Sequence, residues 1–239
     1  YESWKKNTAI IQNGCLCDNE NLPLYSELAQ IDGNADEIND RFYTELDFGT
    51  AGLRGVIGAG TNRMNIFTVG KVTLGIAQYL NKLNTERKSI VAISYDSRHM
   101  SVEFAKAAAS VLNAAGIITY VFDTLQPTPV LSFAVRYLKA DAGIMITASH
   151  NPAKYNGYKL YGNDGAQMMP DPCKEVSREI NSVPSFFGIP AMPEYEARAK
   201  ELYRDMPDSL MKKYYELEES VITDRSVIDN NKQKIKIVY

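Results

Sequence analysis

Short apolar runs and amphipathic stretches alternate through the middle of the chain. Aliphatic runs closed by Gly, Pro or Asp predict buried strands, and apolar residues spaced three or four apart predict helices packed on them. The predicted strands are Ile90–Ser94, Ile117–Phe122, Ala142–Thr147 and Asn156–Leu160. The predicted helices are about Ile66–Leu83, one capped by Ser101 and stopped by Gly116, and one capped by Thr128 with Pro129 at its first position. This alternation predicts a three-layer α/β/α domain with a mixed, largely parallel sheet.

The pattern changes toward both ends of the chain. Residues 1–42 are predicted to form a helical N-terminal extension, with Trp4, Ile10 and Ile11 near one helix face. Residues 43–60 are rich in glycine and predict a strand and a loop, while residues 184–193 resemble a proline-rich linker. A long polar helix, about Tyr195–Glu219 and broken by Pro207, is expected to follow.

The final residues, Lys234–Tyr239, alternate as a strand does, and both ends of the chain resemble cut ends. We therefore expect three parts. They are a helical extension at 1–42, the main α/β domain at 43–190, and the truncated start of a second α/β domain at 191–239.

Composition narrows the classes of function. The formal charge is −3 and the pI is about 5.5, so the chain has no excess of Lys and Arg to neutralise phosphates. This argues against binding of nucleic acid. No apolar stretch approaches the length of a membrane span, and the N-terminus does not resemble a signal peptide. Cys15, Cys17 and Cys173 form no Cys-x-x-Cys pair, which favours reduced thiols and a cytoplasmic location.

The most informative segment follows the predicted strand Ala142–Thr147. Thr147-Ala148-Ser149-His150-Asn151-Pro152 places Ser149 on a tight polar turn at the end of that strand. Pro152 keeps Asn151 extended and prevents a helix from starting there. A hydroxyl in this position is held by a rigid scaffold and faces solvent, as a nucleophile must.

This motif resembles the catalytic serine loop of the α-D-phosphohexomutases, the phosphoglucomutase and phosphomannomutase superfamily. Three further segments resemble that family's arginine loop, its Asp-x-Arg segment and the stretch that carries its catalytic lysine. They are Asp47–Gly55, Ser94–Arg98 and Tyr155–Lys159. Gly60-Thr61-Asn62-Arg63-Met64 and the helical N-terminus are most similar to the longer phosphoglucomutase and phosphopentomutase branch.

The resemblance implies an enzyme that moves a phosphoryl group between C1 and C6 of a hexose phosphate through a hexose 1,6-bisphosphate. Ser149 would carry the phosphoryl group and, through it, bind Mg²⁺, the implied cofactor. Arg54 would bind phosphate with its guanidinium fork. Lys159 would give a proton to the departing oxygen and take one back. His150 would orient a sugar hydroxyl or shuttle a proton, or would be a loop histidine bonded to backbone.

Other residues near these motifs are interpreted as structural. Asp96 and Arg98 are expected to pair with each other and brace the loop rather than contact substrate, and His99 is interpreted as structural. Asp164 and Asp171 are separated from Ser149 by turns and prolines and make poor metal ligands. The remaining metal ligands and the sugar-reading loops are therefore expected beyond Tyr239, which leaves the 239 residues inactive alone.

Other classes of enzyme fit the sequence less well. A serine hydrolase lacks the Gly-x-Ser-x-Gly elbow, and neither a P-loop nor a dinucleotide-binding glycine pattern is present. A non-catalytic module that binds a sugar phosphate or a partner remains open, as does a phosphopentomutase. The sequence does not choose among glucose, mannose and pentose phosphates.

Overall fold

A mixed six-stranded sheet forms the centre of the first of two units in the computed structural model, which describes residues 1–8, 16, 24–49 and 52–236. The first unit runs from Tyr1 to Met206, and its sheet has the order β1-β5-β4-β2-β3-β6. The strands are β1 Gly52–Val56, β2 Ile90–Tyr95, β3 Ile118–Val121, β4 Ala142–Ile146, β5 Tyr155–Gly162 and β6 Tyr203–Asp205.

Strand direction divides the sheet into two parts. β4, β2, β3 and β6 are mutually parallel, whereas β5 runs antiparallel to β4 and β1 runs antiparallel to β5. The parallel part matches the predicted strand–helix alternation, because parallel neighbours need a long crossover connection. The antiparallel pair β4–β5 needs only the short turn that contains Ser149. The predicted mixed α/β sheet is confirmed.

Helices cover both faces of this sheet. The helices of the first unit are α1 Glu2–Thr8, α2 Leu24–Gln30, α3 Ala35–Phe42, α4 Ile66–Leu83, α5 Ser101–Ala114, α6 Thr128–Leu138, α7 Pro170–Ser182 and α8 Glu194–Ala199. The hydroxyl of Tyr158 on β5 lies 3.1 Å from Thr73 Oγ1 of α4, so even-numbered β5 residues face α4. On the other face, a Cβ on Gly143 of β4 would lie 2.6 Å from Val135 Cγ2 of α6. The sheet therefore separates α4 from α6.

The N-terminal helices pack against this domain. Trp4 is buried, and its ring lies 5.9 Å from that of Phe67 and 5.1 Å from that of Phe187. Leu28 of α2 is fully buried in the same core. Ile10, Ile11, Cys15 and Cys17, which the sequence interpretation used, lie outside the described residues.

Two predicted helix caps are wrong. Ser101 is the first residue of α5, and its hydroxyl donates to Asp96 Oδ1 at 2.8 Å instead of capping the helix. Thr128 is likewise the first residue of α6, and Pro127 takes the cap position without a side-chain hydrogen bond. In both cases the preceding loop fixes where the helix starts.

The predicted helix 195–219 is wrong before Pro207, whereas the break at Pro207 and the helix after it are confirmed. The chain forms α8, then the short strand β6, which pairs with β3, and then α9 Asp208–Ser220. Leu202 is buried, and its carbonyl accepts from the amide of Thr119 at 2.7 Å, so the chain lies along the edge of the sheet at this point. The first unit thus continues past the predicted boundary at residue 190. The division into first and second domains of the whole protein stays a prediction.

The second unit runs from Pro207 to Tyr239. It contains α9 and α10 Arg225–Asn231, and Asp224 caps α10 by accepting from the amide of Ser226 at 2.9 Å. The described residues after α10, up to residue 236, form turns rather than a strand. The rest of the predicted strand at Lys234–Tyr239 lies outside the described residues.

Candidate active site

Ser149 lies on the turn that follows β4. Its amide donates to Thr147 Oγ1 at 2.9 Å, and the amide of Asn151 donates to the carbonyl of Ala148 at 3.2 Å. Ser149 has a φ of 55°, in the left-handed region that residues other than glycine enter rarely. Its side chain is exposed while Ala148 is buried, so the turn carries the hydroxyl out of the core to the surface.

Lys159 meets this hydroxyl directly. It lies on β5, and its Nζ donates to Ser149 Oγ at 2.7 Å. The contact forms because β5 runs antiparallel beside β4, with Lys159 paired to Met145. This pairing places Lys159 next to the turn that follows β4. A separation of ten residues along the chain thus becomes a hydrogen bond.

Arg54 reaches the same site from β1. In the β1–β5 ladder Gly52 is paired with Lys159 and Arg54 with Gly157, so the pleat places both cations on one face of the sheet. Arg54 is exposed, and its Nη1 donates to Asn151 Oδ1 at 3.1 Å. The serine turn therefore lies beside both a lysine and an arginine.

Glycines allow these strands to approach closely. A Cβ on Gly52 would lie 2.1 Å from the carbonyl oxygen of Tyr158, and one on Gly157 would lie 2.5 Å from that of Thr147. The amide of Thr147 also donates to the carbonyl of Gly157 at 3.0 Å. The glycine-rich character of this part of the sequence has its physical reason here, because backbone packs on backbone around the site.

Arg98 fastens the serine turn to the loop after β2. Its guanidinium donates to four carbonyl oxygens of the turn. They are those of Ser149 at 2.6 Å, Asn151 at 2.7 Å, Pro152 at 3.1 Å and Tyr155 at 3.1 Å. Arg98 Nε also lies 3.4 Å from Asp96 Oδ2. The expectation that Asp96 and Arg98 brace the loop is confirmed.

Asp96 and Asn156 form a second layer of support. Asp96 Oδ1 accepts from the amide of Arg98 at 3.0 Å and from the hydroxyl of Ser101 at 2.8 Å. Asn156 is fully buried and donates to Ser101 Oγ and to the carbonyl of His99, both at 2.9 Å. Both loops at this end of the sheet are therefore joined through buried polar groups with partners, an arrangement that rigidifies a site.

The charges at the site affect Lys159. Partial burial lowers the pKa of Lys159, the nearby Arg54 guanidinium lowers it further, and Asp96 opposes the change. A dianion bound between these cations would favour the protonated lysine. The site is thus electrostatically suited to a phosphate group attached to Ser149.

A cleft of about 420 Å³ opens between the two loops and is bordered by Asp96, Ser97, Arg98, His99, Ser149, Asn151 and Ala153. His150 is exposed on the serine turn, and its role stays a prediction. His99, interpreted as structural from the sequence, is exposed at the edge of this cleft.

The structure brings together Ser149, Lys159 and Arg54, with His150 adjacent to the serine. Sequence reasoning missed Thr147, Ser101 and Asn156 as supports. Thr147 and Asn156 lie within the serine and lysine motifs. The supporting role of Asn156 follows from its complete burial, which the sequence does not reveal.

Carboxylates suited to a metal are scarce at this site. Within the described residues there is no group of three or more His, Cys, Asp or Glu side chains placed to hold a metal ion. Asp164 caps the turn after β5, where its Oδ1 accepts from the amide of Ala166 at 2.9 Å, and Asp171 pairs with Lys174 on α7. That neither aspartate is a metal ligand stays a prediction.

Within the described ranges, none of the helices combines the length and the apolar character that a bilayer crossing requires.

Comparison with known proteins gives consistent matches. Residues 45–185 match the family model described as phosphoglucomutase/phosphomannomutase, alpha/beta/alpha domain I. A phosphoglucomutase from Staphylococcus epidermidis is 44% identical over 183 residues, which are 76% of this chain and 33% of the relative. One from Staphylococcus haemolyticus is 51% identical over 142 residues, or 59% of this chain and 26% of the relative.

A crystal structure of a Thermus thermophilus protein assigned as a phosphomannomutase has a similar fold. It matches with a TM-score of 0.57 and 28% identity, over 68% of this chain and 33% of the other. The chain thus spans about a third or less of the length of the relatives it matches.

Proposed function

Because the chain belongs to the phosphoglucomutase/phosphomannomutase family, we propose that the protein is a phosphosugar mutase acting between C1 and C6 of a hexose phosphate. The observation that carries the proposal is the 2.7 Å contact between Lys159 Nζ and Ser149 Oγ, with Arg54 on the same face of the sheet. A nucleophile, a proton carrier and a phosphate-binding cation are the groups such a transfer requires.

In the proposed reaction Ser149 is a phosphoserine when substrate binds. As the bond from phosphorus to Ser149 Oγ breaks and a bond to a sugar hydroxyl forms, Lys159 gives its proton to Oγ. Arg54 binds phosphate oxygens. His150 orients the sugar hydroxyl, takes its proton as it attacks, and returns that proton to the departing sugar oxygen in the second half-reaction. The hexose 1,6-bisphosphate then returns its other phosphoryl group to Ser149, and Lys159 takes the serine proton back.

We propose Mg²⁺ as the metal, with the phosphoryl group of Ser149 as a ligand. The described residues do not fit this ion by themselves, because the one carboxylate in the cleft, Asp96, already accepts from Arg98 and Ser101. Mg²⁺ needs nearly octahedral oxygen coordination. The other ligands are proposed to lie outside these 239 residues.

The partners we propose are small molecules, a hexose phosphate and its 1,6-bisphosphate, with no nucleic-acid or membrane partner. The acidic net charge and the free, buried thiol of Cys173 support a cytoplasmic phosphoprotein.

A coupled assay of the full-length protein tests this proposal. Glucose 1-phosphate, mannose 1-phosphate and ribose 1-phosphate are supplied in turn with bisphosphate activator and Mg²⁺. Turnover of a hexose phosphate is the expected result, whereas turnover of ribose 1-phosphate alone would assign a phosphopentomutase. Absence of turnover on all three would favour a binding module without catalysis.

A further inference from the structure

A buried lysine on α4 reaches the loop that leads to Arg54. Lys71 is 8% exposed, and its Nζ donates to Glu45 Oε2 at 2.8 Å. The same ammonium lies 4.4 Å from the ring centroid of Phe186. A long helix packed in the core is a rigid base, so this ion pair ties the exposed Glu45 to a fixed point.

Leu46, the residue after Glu45, connects this ion pair with β1. A Cβ on Gly55 would lie 2.9 Å from Leu46 Cδ1, so the leucine packs directly on the backbone beside Arg54. The amide of Leu46 also donates to the carbonyl of Thr61 at 3.0 Å. Glu45, Leu46 and Gly55 thus connect α4 with the strand position next to the arginine.

The side chains around residues 44–48 leave a space unfilled. A cavity of about 290 Å³ lies between the 44–48 loop and α4 and α7, bordered by Glu45, Lys71 and Phe186 among others. The loop therefore has space to shift if the ion pair is removed, since close packing would otherwise hold it.

We propose that Lys71 is a positioning residue for Arg54, acting through its ion pair with Glu45 and the contact of Leu46 with Gly55. The proposal rests on the proposed role of Arg54 in binding phosphate. Lys71 itself does not reach the cleft, because Leu53, beside Arg54, faces the cavity on the α4 side while Arg54 faces the serine turn. Displacements of about 1 Å at a phosphate-binding group can cost up to a hundredfold in rate.

The substitution Lys71→Met removes the charge and keeps most of the side-chain volume. Its control is Lys82→Met near the other end of the same helix, where the exposed Lys82 pairs with Glu179 of α7 at 2.6 Å. Leu46→Ala interrupts the contact with Gly55, and Lys71→Arg is the conservative replacement. Two measurements are made, the Nε–Hε NMR signal of Arg54 in this chain and the kcat/KM of the full-length protein.

We expect Lys71→Met to shift and broaden the Arg54 signal and to lower kcat/KM roughly tenfold, with Lys82→Met unchanged. Leu46→Ala should have a similar effect, and the double variant should be no worse than either, because both act on one connection. Lys71→Arg should restore most of the rate and the signal.

The proposal is overturned if the Arg54 signal is the same in Lys71→Met as in Lys82→Met. It is also overturned if the losses of kcat/KM in Lys71→Met and Leu46→Ala multiply in the double variant. If the unsubstituted protein itself turns over no sugar phosphate, the proposed function fails, and the Arg54 signal still decides the positioning role.

Discussion

At Ser149 the backbone is held in a conformation that a serine adopts at a cost of roughly 1–2 kcal/mol. The hydrogen bond to Thr147 Oγ1 and the Arg98 contact to the serine carbonyl offset that cost. The strained backbone directs the hydroxyl toward Lys159. Strain supported by its surroundings is a common property of functional sites, and it agrees with the proposed nucleophile.

Ser149→Ala is expected to abolish turnover in the full-length protein and to change the free energy of unfolding by about 1 kcal/mol or less. The exposed hydroxyl contributes little packing, but it is the group proposed to carry the phosphoryl group. Mutase rates and thermal melts measure both effects. Ser97→Ala, an exposed serine of the same cleft, is the control and should stay active. Near-normal rates for Ser149→Ala would disprove the mechanism.

The lowered pKa of Lys159 predicts a pH dependence of stability. Between the folded pKa and the ordinary value near 10.4, the unfolded chain binds more protons than the folded chain, so the free energy of unfolding rises with pH. Urea unfolding from about pH 8 to about pH 10.5 should show wild type gaining stability relative to Lys159→Met. Lys154→Met, at an exposed lysine of the same loop, is the control. Parallel pH profiles for wild type and Lys159→Met would contradict the prediction.

At the scale of elements, the serine turn is held by three parts of the sheet. β4 leads into it, β5 returns from it, and the loop after β2 holds it through Arg98. Four carbonyls of one turn accept from a single side chain, so the turn loosens as a unit if that side chain is lost. This arrangement keeps an exposed loop rigid without burying it.

Arg98→Ala is expected to lower the free energy of unfolding by about 2 kcal/mol, since hydrogen bonds from a charged donor are lost. Amide exchange in residues 147–156 should accelerate, and kcat should fall. The control is Arg87→Ala, where the guanidinium pairs with Asp141 at the opposite end of β4, at 2.6 and 2.9 Å. Equal rates of amide exchange at residues 147–156 in the two variants would show that Arg98 does not hold the serine turn in place.

At the scale of the whole molecule, the described residues place Lys159 and Arg54 beside the proposed nucleophile Ser149 but bring few carboxylates near it. A phosphoryl group on Ser149 would meet Lys159 and Arg54, yet a divalent ion would find few oxygen ligands among the described residues. The cleft is open and is bordered by two loops, so it excludes little water. These features support the proposal that the described residues form one side of a larger site.

The 239 residues alone are expected to show no measurable mutase activity and only weak binding of hexose phosphate. Calorimetric titration with hexose phosphate, beside a turnover assay, measures both. Arg54→Met should remove the weak binding, because that guanidinium is the proposed phosphate contact. Turnover at even a small fraction of the full-length rate would show that the described side of the site is sufficient.

The sequence by itself determined the α/β class, α4 and the central strands, because their hydrophobic periodicity is local and strong. Its contiguous motifs also selected Ser149, Arg54 and Lys159 as candidates, and the fold brings these three residues together. Short elements at the edge of the core were not predictable in this way. β6 forms because β3 offers an unpaired edge, although residues 195–219 have the composition of a helix.

The tertiary structure decided how the chemistry is assembled. Local sequence favoured Ser101 as a helix cap, but a carboxylate of the preceding loop binds its hydroxyl instead. The hydrogen bonds from Arg98 to the serine turn and the ion pair of Lys71 with Glu45 join residues distant in the chain. The left-handed backbone of Ser149 is supported by the first of these contacts. Such contacts depend on strand order and register, which no local pattern encodes, and they turn separate motifs into one site.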